Sequence, residues 1–449
     1  MSTLLIKNAA LLATMAGEEI PGGGLFARNG WIEQIGPTDS LPSEADEVVD
    51  CSDHVVIPGL VNTHHHFYQT LTRAMAQDSE LFPWLVELYP IWARVTPDHV
   101  HASTVTALAE LALSGCTTAF DHHYLWPAGT SVDQQVAASE DVGIRFHAAR
   151  GSMSVGESAG GLPPDSVVED ENVILSDSQR VVDAFHDPEP GAMVQVVLAP
   201  CSPFSVSRDL MAESARLARD LGVRLHTHLA ETRDEEEYCL ERFGLRPVDY
   251  AESVGWLGED VWYAHAVHLS DRDVEIMAST LTGAAHCPTS NMRLASGIAP
   301  LTRFLQLGVP VGLGVDGSAS NDSSHLMAEA RQALLLARLA RSLDQSDEPM
   351  LTARQALQVA TAGGAAVLGR SDIGTLEVGK AADLACFSAA DVAMAGAADP
   401  LAGLVFTGPH RAEHVFVHGR RVVDGGNLVG LDMERHVARH RQLARALLD

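Results

Sequence analysis

From residue 55 onward, short apolar runs alternate with stretches in which apolar residues return every third or fourth position. The runs predict buried strands and the helical period predicts amphipathic helices, so the alternation is that of parallel βαβ units. Eight runs qualify: Val55–His66, Cys116–Tyr124, Ile144–Gly151, Val194–Pro203, Arg224–Glu231, Val261–Leu269, Gly283–Ser290 and Val309–Gly317. Eight strands close a (β/α)8 TIM barrel, and stretches such as His99–Ser114, Leu210–Leu221 and Asp271–Ser279 supply its outer helices.

The flanks have a different texture. Residues 1–54 read as short strands between turns, including Leu25–Arg28 and Trp31–Ile35 joined by Asn29-Gly30, a pair that supplies the positive φ angles of a type I′ hairpin. After helices at Leu326–Ser342 and Thr352–Val359, short strands and glycine turns return over Asp372–Phe387, His414–Gly419 and Arg421–Asp424, before a last helix at Met433–Leu448. The expected organisation is a barrel over residues 55–368 and a small discontinuous β-sandwich domain. Residues 1–54 form its N-terminal part, and residues 369–449 its C-terminal part plus the terminal helix.

Charge narrows the class of partner. Thirty Lys+Arg against fifty-nine Asp+Glu give a formal charge of −29, which repels nucleic-acid backbones and anionic lipid surfaces. Six scattered cysteines without a C-x-x-C pair read as free thiols. With no apolar run near ~18 residues and no basic leader before an apolar core, the expected location is the cytoplasm.

Barrels of this kind carry their chemistry at the C-terminal ends of the strands, and polar residues cluster there. His64 and His66 share one face after the first strand while His65 points to the other, a two-ligand clamp suited to Zn²⁺ or Fe²⁺. Asp121-His122-His123 follows the second strand, His226-Thr227-His228-Leu229-Ala230-Glu231 the fifth, Ala264-His265 the sixth and Gly314-Val315-Asp316 the eighth. His226 sits one pleat deeper than His228 and reads as a hydrogen-bonded supporting residue. His122, His123 and His268 fit packing as well as function. His54, His99, His101 and the C-terminal histidines read as surface residues, and Cys116 and Cys287 as apolar filler.

Together the motifs Pro-Gly-Leu-Val-Asn-Thr-His-x-His (58–66), His-x-His-Leu-Ala-Glu (226–231), Ala-His (264–265), His-Cys-Pro-Thr-Ser-Asn (286–291) and Gly-Val-Asp (314–316) resemble the amidohydrolase superfamily, in its nucleobase-deaminase branch. The resemblance implies His64, His66, His228 and Asp316 as ligands of one divalent metal, Zn²⁺ or alternatively Fe²⁺, with an open position for water. It implies Asp316 as acceptor of that water's proton, Glu231 as proton shuttle to the substrate and His265 as hydrogen-bond donor to the developing oxyanion. Binuclear relatives bridge two ions with a lysine after the fourth strand. Here that strand reads Val194-Gln195-Val196-Val197-Leu198-Ala199-Pro200-Cys201, so a mononuclear site is expected. Superfamily members form symmetric assemblies, which implies a homo-oligomer.

Substrate residues follow from the same comparison. Gln69, three residues after His66, resembles the glutamine by which guanine deaminases read a purine edge, and a structural role on its loop is equally open. The stretch 76–92 holds aromatics that either cover a flat ring or pack their loop on the barrel. At Cys201 the chain departs from adenosine-type deaminases, which carry His there, and from guanine deaminases, which carry Arg followed by Phe. The combination most closely resembles 8-oxoguanine deaminases, with the small Cys201 side chain leaving room on the five-membered ring. The expected reaction is hydrolytic deamination of the free oxidised purine to urate and ammonia. Guanine or isocytosine deamination, and triazine hydrolysis of the hydroxyatrazine type, are the alternatives.

Overall fold

The computed structural model describes residues 2–127 and 129–449. Its centre is a closed barrel of eight parallel strands in chain order: β1 (Leu60–Asn62), β2 (Cys116–Asp121), β3 (Arg145–Ser152), β4 (Val194–Pro200), β5 (Arg224–Leu229), β6 (Val261–His265), β7 (Gly283–His286) and β8 (Val311–Leu313). Every strand lies within a predicted apolar run or one residue beyond it, and most end earlier, because the polar residues that close each run turn out of the ladder into the rim.

The first run differs most. Val55–His66 is two strands, His54–Pro58 in a flanking sheet and β1 in the barrel. The break falls at Gly59, where any Cβ would lie 2.1 Å from Thr117 Oγ1, so only glycine lets the chain pass from sheet to barrel there. The aromatic stretch expected as a loop is a helix over Leu81–Trp92, with Pro83 in its tolerant first turn and Pro90 near its end.

Beside the barrel lie a four-stranded sheet and a seven-stranded sheet. The four-stranded sheet is wholly N-terminal, and the Gly23–Arg28/Trp31–Pro37 hairpin turns at Asn29 (φ 51°) and Gly30 (φ 84°). The seven-stranded sheet combines Leu11–Ala13, Glu19–Ile20 and His54–Pro58 with Leu384–Ser388, His414–Val417, Arg420–Asp424 and Asn427–Leu428. Leu4, Ile6, Leu12, Leu25, Val56, Leu384 and Phe416 share one buried cluster between the sheets.

This β unit is tied to the barrel floor by Arg145, the first residue of β3. Its Nε donates to Asp383 Oδ2 at 2.8 Å and its Nη2 to Asp383 Oδ1 at 3.1 Å, with both side chains buried. The terminal helix Met433–Leu448 packs on helix Pro97–Leu113. Of the histidines expected at the surface, His54, His99 and His410 are buried instead. His99 closes the capping box at Thr96 and reaches the Leu443 carbonyl at 3.1 Å, and His54 lies under Glu413.

Candidate active site

Three imidazoles and one carboxylate converge at the C-terminal mouth of the barrel. His64 Nε2 lies 3.2 Å and His66 Nε2 3.3 Å from Asp316 Oδ1, and His66 Nε2 is 3.2 Å from His228 Nε2. The opposite nitrogen of each ring is fixed. His66 Nδ1 donates to the His122 carbonyl at 2.7 Å and His228 Nδ1 to the Cys201 carbonyl at 2.7 Å. His64 Nδ1 donates to His226 Nε2 at 2.9 Å, and His226 Nδ1 donates to the Trp262 carbonyl at 3.0 Å. Each Nε2 therefore presents a bare lone pair to the centre.

Burial pushes the His64 pKa down to about 3 and holds His228 well below its ordinary value, so both rings are neutral near pH 7. Asp316 behaves oppositely: burial alone would raise its pKa, but the surrounding rings of His64, His66 and His265 outweigh it and hold the group well below the ordinary carboxylate range. Asp316 Oδ2 accepts from Ser290 Oγ at 2.5 Å and Ser320 Oγ at 2.9 Å, whereas Oδ1 and the facing His64 Nε2 are buried without hydrogen-bond partners among the described residues. A lone pair and a carboxylate oxygen facing each other in a dry site repel, and a divalent cation between them removes the conflict. The donor set thus fits a metal ion with nitrogen and oxygen preference.

Two further groups face this centre. His265 Nδ1 donates to Asn291 Oδ1 at 2.9 Å, leaving Nε2 3.5 Å from Glu231 Oε2 and 4.0 Å from Asp316 Oδ2. Burial would depress the His265 pKa, but the two carboxylates overcome it and raise the value. Burial raises the Glu231 pKa, so its carboxyl holds a proton more readily than an exposed one. Ser296 Oγ donates to Glu231 Oε1 at 3.3 Å. The backbone is correspondingly tense: Ala230, His265, Ala266 and Asp316 all have positive φ, at 56°, 69°, 48° and 61°. Such conformations cost about 1–3 kcal/mol each and are held by their surroundings.

A cavity opens over these residues, walled by Leu81, Trp84, Tyr89, Phe204 and Leu294. Gln69 and Cys201 both line it. Gln69 Oε1 accepts from the Ala319 amide at 3.4 Å, and its Nε2 is buried with no partner among the described residues. Burial pushes the Cys201 thiol up to about 12, so it is a neutral wall group and not a nucleophile. Trp92, from the same aromatic stretch, packs beneath, its Nε1 donating to Thr72 Oγ1 at 3.1 Å.

Several supporting residues escaped the sequence reading. Ser290 and Asn291 act on Asp316 and His265 through the 286–291 motif, which as a string gives no sign of which side chain reaches which partner. Glu235 accepts from the amides of Ala230 and Glu231 at 2.8 and 2.9 Å, fixing the turn that aims Glu231. Its only sequence signal is an acid in the first turn of the next helix. His65 and His123 stay outside the centre: His65 bonds Ser324 Oγ at 2.9 Å and His123 stacks on Trp126.

Residues 55–422 match the family model described as "Amidohydrolase family". The chain is 50% identical over the whole of both sequences to an 8-oxoguanine deaminase of Pseudomonas aeruginosa. It is 39% identical to a hydroxydechloroatrazine ethylaminohydrolase of Pseudomonas sp. strain ADP, covering 98% of this chain and 94% of the relative. The crystal structure of atrazine chlorohydrolase from Arthrobacter aurescens TC1 complexed with zinc superposes with a TM-score of 0.93 at 34% identity, covering 98% of this chain and all of that one.

Proposed function

The chain belongs to the amidohydrolase family and is a hydrolase of carbon–nitrogen bonds, and from that premise we propose that it deaminates free 8-oxoguanine to urate and ammonia. The observation that carries the substrate is the full-length similarity to the 8-oxoguanine deaminase of P. aeruginosa.

His64, His66, His228 and Asp316 would hold one divalent metal ion, for which we favour Zn²⁺. When bound, the ion lowers the pKa of a water at its open position toward neutrality. Asp316, oriented by Ser290 and Ser320, accepts the proton of the water that attacks C2 of the base. His265 donates from Nε2 to the oxygen as charge develops on it. Glu231 protonates the adjacent ring nitrogen, takes up the proton of the hydroxyl added to C2 and passes it to the departing amine, and the proton held by Asp316 then returns to Glu231. The C2–N bond breaks as the C2 carbonyl forms, and ammonia leaves. A carboxyl with a raised pKa in a closed site suits that shuttle near neutral pH.

Gln69 donates from its free Nε2 to the purine edge, and Trp84 and Tyr89 wall the flat ring. The small neutral side chain of Cys201 leaves space for the C8 oxygen. The net charge of −29 supports a free base over a polymer as substrate. Residues 1–54 and 369–449 are taken as one β-sandwich domain, and the working form as a cytoplasmic homo-oligomer.

The test is ammonia release from metal-replete protein with 8-oxoguanine, guanine, isocytosine and a hydroxytriazine in parallel, compared by kcat/KM. A clear preference for 8-oxoguanine is expected. Equal rates on guanine would remove the role given to Cys201, and a preference for the triazine would move the assignment to the triazine relatives.

A further inference from the structure

On the seven-stranded sheet, away from the barrel mouth, a second group of metal-ligating side chains comes together. His54, Glu413 and His414 each offer a ligand atom, all within 4.8 Å of one another. His54 begins its strand and His414 lies across the intervening strand Leu384–Ser388, in register with Cys386. Their rings are 5.5 Å apart. His54 Nε2 is 2.9 Å from Glu413 Oε2, a pairing between positions 359 residues apart in sequence.

The hydrogen bonding of this group is incomplete. Nδ1 of His54 and Nδ1 of His414 are both buried and without a hydrogen-bond partner among the described residues. Asp424 Oδ1 lies 3.0 Å from His414 Nδ1 but is not aligned to accept from it. The local charge favours a cation: Glu413, Asp424 and Glu47 are opposed by Arg421, which pairs with both Glu47 and Asp424. Two imidazoles with one or two carboxylates, half shielded from water, make a donor set for a borderline divalent ion of the Zn²⁺ type, not for Mg²⁺ or Ca²⁺, which prefer oxygen alone.

We propose that His54, His414 and Glu413, with Asp424 completing the set, form a second divalent-cation site, separate from the barrel, that clamps the N-terminal and C-terminal strands of the seven-stranded sheet. An ion bound there stabilises only the folded arrangement, because the ligands come from opposite ends of the chain. No residue of the site reaches the barrel cavity, so turnover does not depend on it.

The test is a Zn²⁺ titration of chelator-treated full-length protein by calorimetry and elemental analysis, comparing the native chain with the His54→Gln/His414→Gln variant. The native chain is expected to bind one Zn²⁺ per chain more than the variant and to show a Zn²⁺-dependent rise in Tm that the variant lacks. Turnover, measured with the barrel ion in place, should be equal. Equal stoichiometry in the two proteins overturns the proposal. If the double variant does not fold, Glu413→Gln at a half-exposed carboxylate gives the same decision. Roughly tenfold or greater weakening of the weaker ion is expected, and unchanged affinity for both ions is the contrary result.

Discussion

His226 Nε2 accepts the Nδ1 proton of His64 at 2.9 Å, and the chain of bonds ends on the Trp262 carbonyl. This relay fixes the tautomer of His64 and so leaves its inward nitrogen bare. His226→Phe would keep ring volume while removing the acceptor, freeing His64 to rotate or change tautomer. Metal affinity is expected to fall ~10–100-fold, read by chelator competition, with the fold intact. Unchanged affinity would show that the His64 ring is held by packing alone.

Glu231 makes no hydrogen bond or ion pair with a proposed ligand among the described residues but faces His265 at 3.5 Å. Glu231→Gln keeps its size and its bond from Ser296 while removing the transferable proton. The expected result is a ~10²–10⁴-fold loss of kcat with metal content unchanged. Retention of most activity would contradict the proton shuttle. Ser296→Ala, which removes only the hydroxyl donor to Oε1, should cost far less.

The barrel and its rim were legible in the sequence because each strand is an apolar run that stops where polar residues begin. His64, His66, His228, Glu231, His265 and Asp316 all lie at such stops. What the sequence did not reveal depends on non-local geometry. Gly59 lies inside the single apolar run Val55–His66 and gives no sign of a break between two strands until Thr117 is seen against it. The aromatic stretch reads as a loop, and the helix Leu81–Trp92 within it tolerates Pro83 in its first turn and Pro90 in its last. The positive φ at His265 and Asp316 runs against residue preference and persists only because the surrounding barrel holds it. Asp383, a single acid in an otherwise apolar stretch, gave no sign of Arg145 across 238 residues.

That buried pair supports a stability prediction. Arg145 also donates from Nη1 to the Ala192 carbonyl at 2.9 Å, so its removal strands an acid and a carbonyl in the protein interior. Arg145→Ala is expected to destabilise the fold by ~3–5 kcal/mol in denaturant unfolding. Arg145→Met with Asp383→Asn should recover part of the loss, since no unpaired charge remains.

The terminal helix provides a pH test. His440 Nε2 bonds Thr70 Oγ1 at 3.1 Å, and Thr70 follows Gln69 directly, so the docking of this helix braces the segment that lines the cavity. Burial, followed by the charges of Arg73, His436 and His99, pushes the His440 pKa down to about 4 from an ordinary 6.5. The folded state therefore binds fewer protons at this site than the unfolded one, and stability rises with pH across the window. The contribution is complete above about pH 6.5 and is lost as pH falls toward 4. Each pKa unit corresponds to ~1.4 kcal/mol, reduced here by the partial exposure of the ring. Hydrogen exchange of Met433–Leu448 should accelerate between pH 7 and pH 5, after correction for intrinsic rates, more in the native chain than in His440→Gln. Identical pH responses in the two proteins would mean that protonation of His440 does not control the docking of this helix.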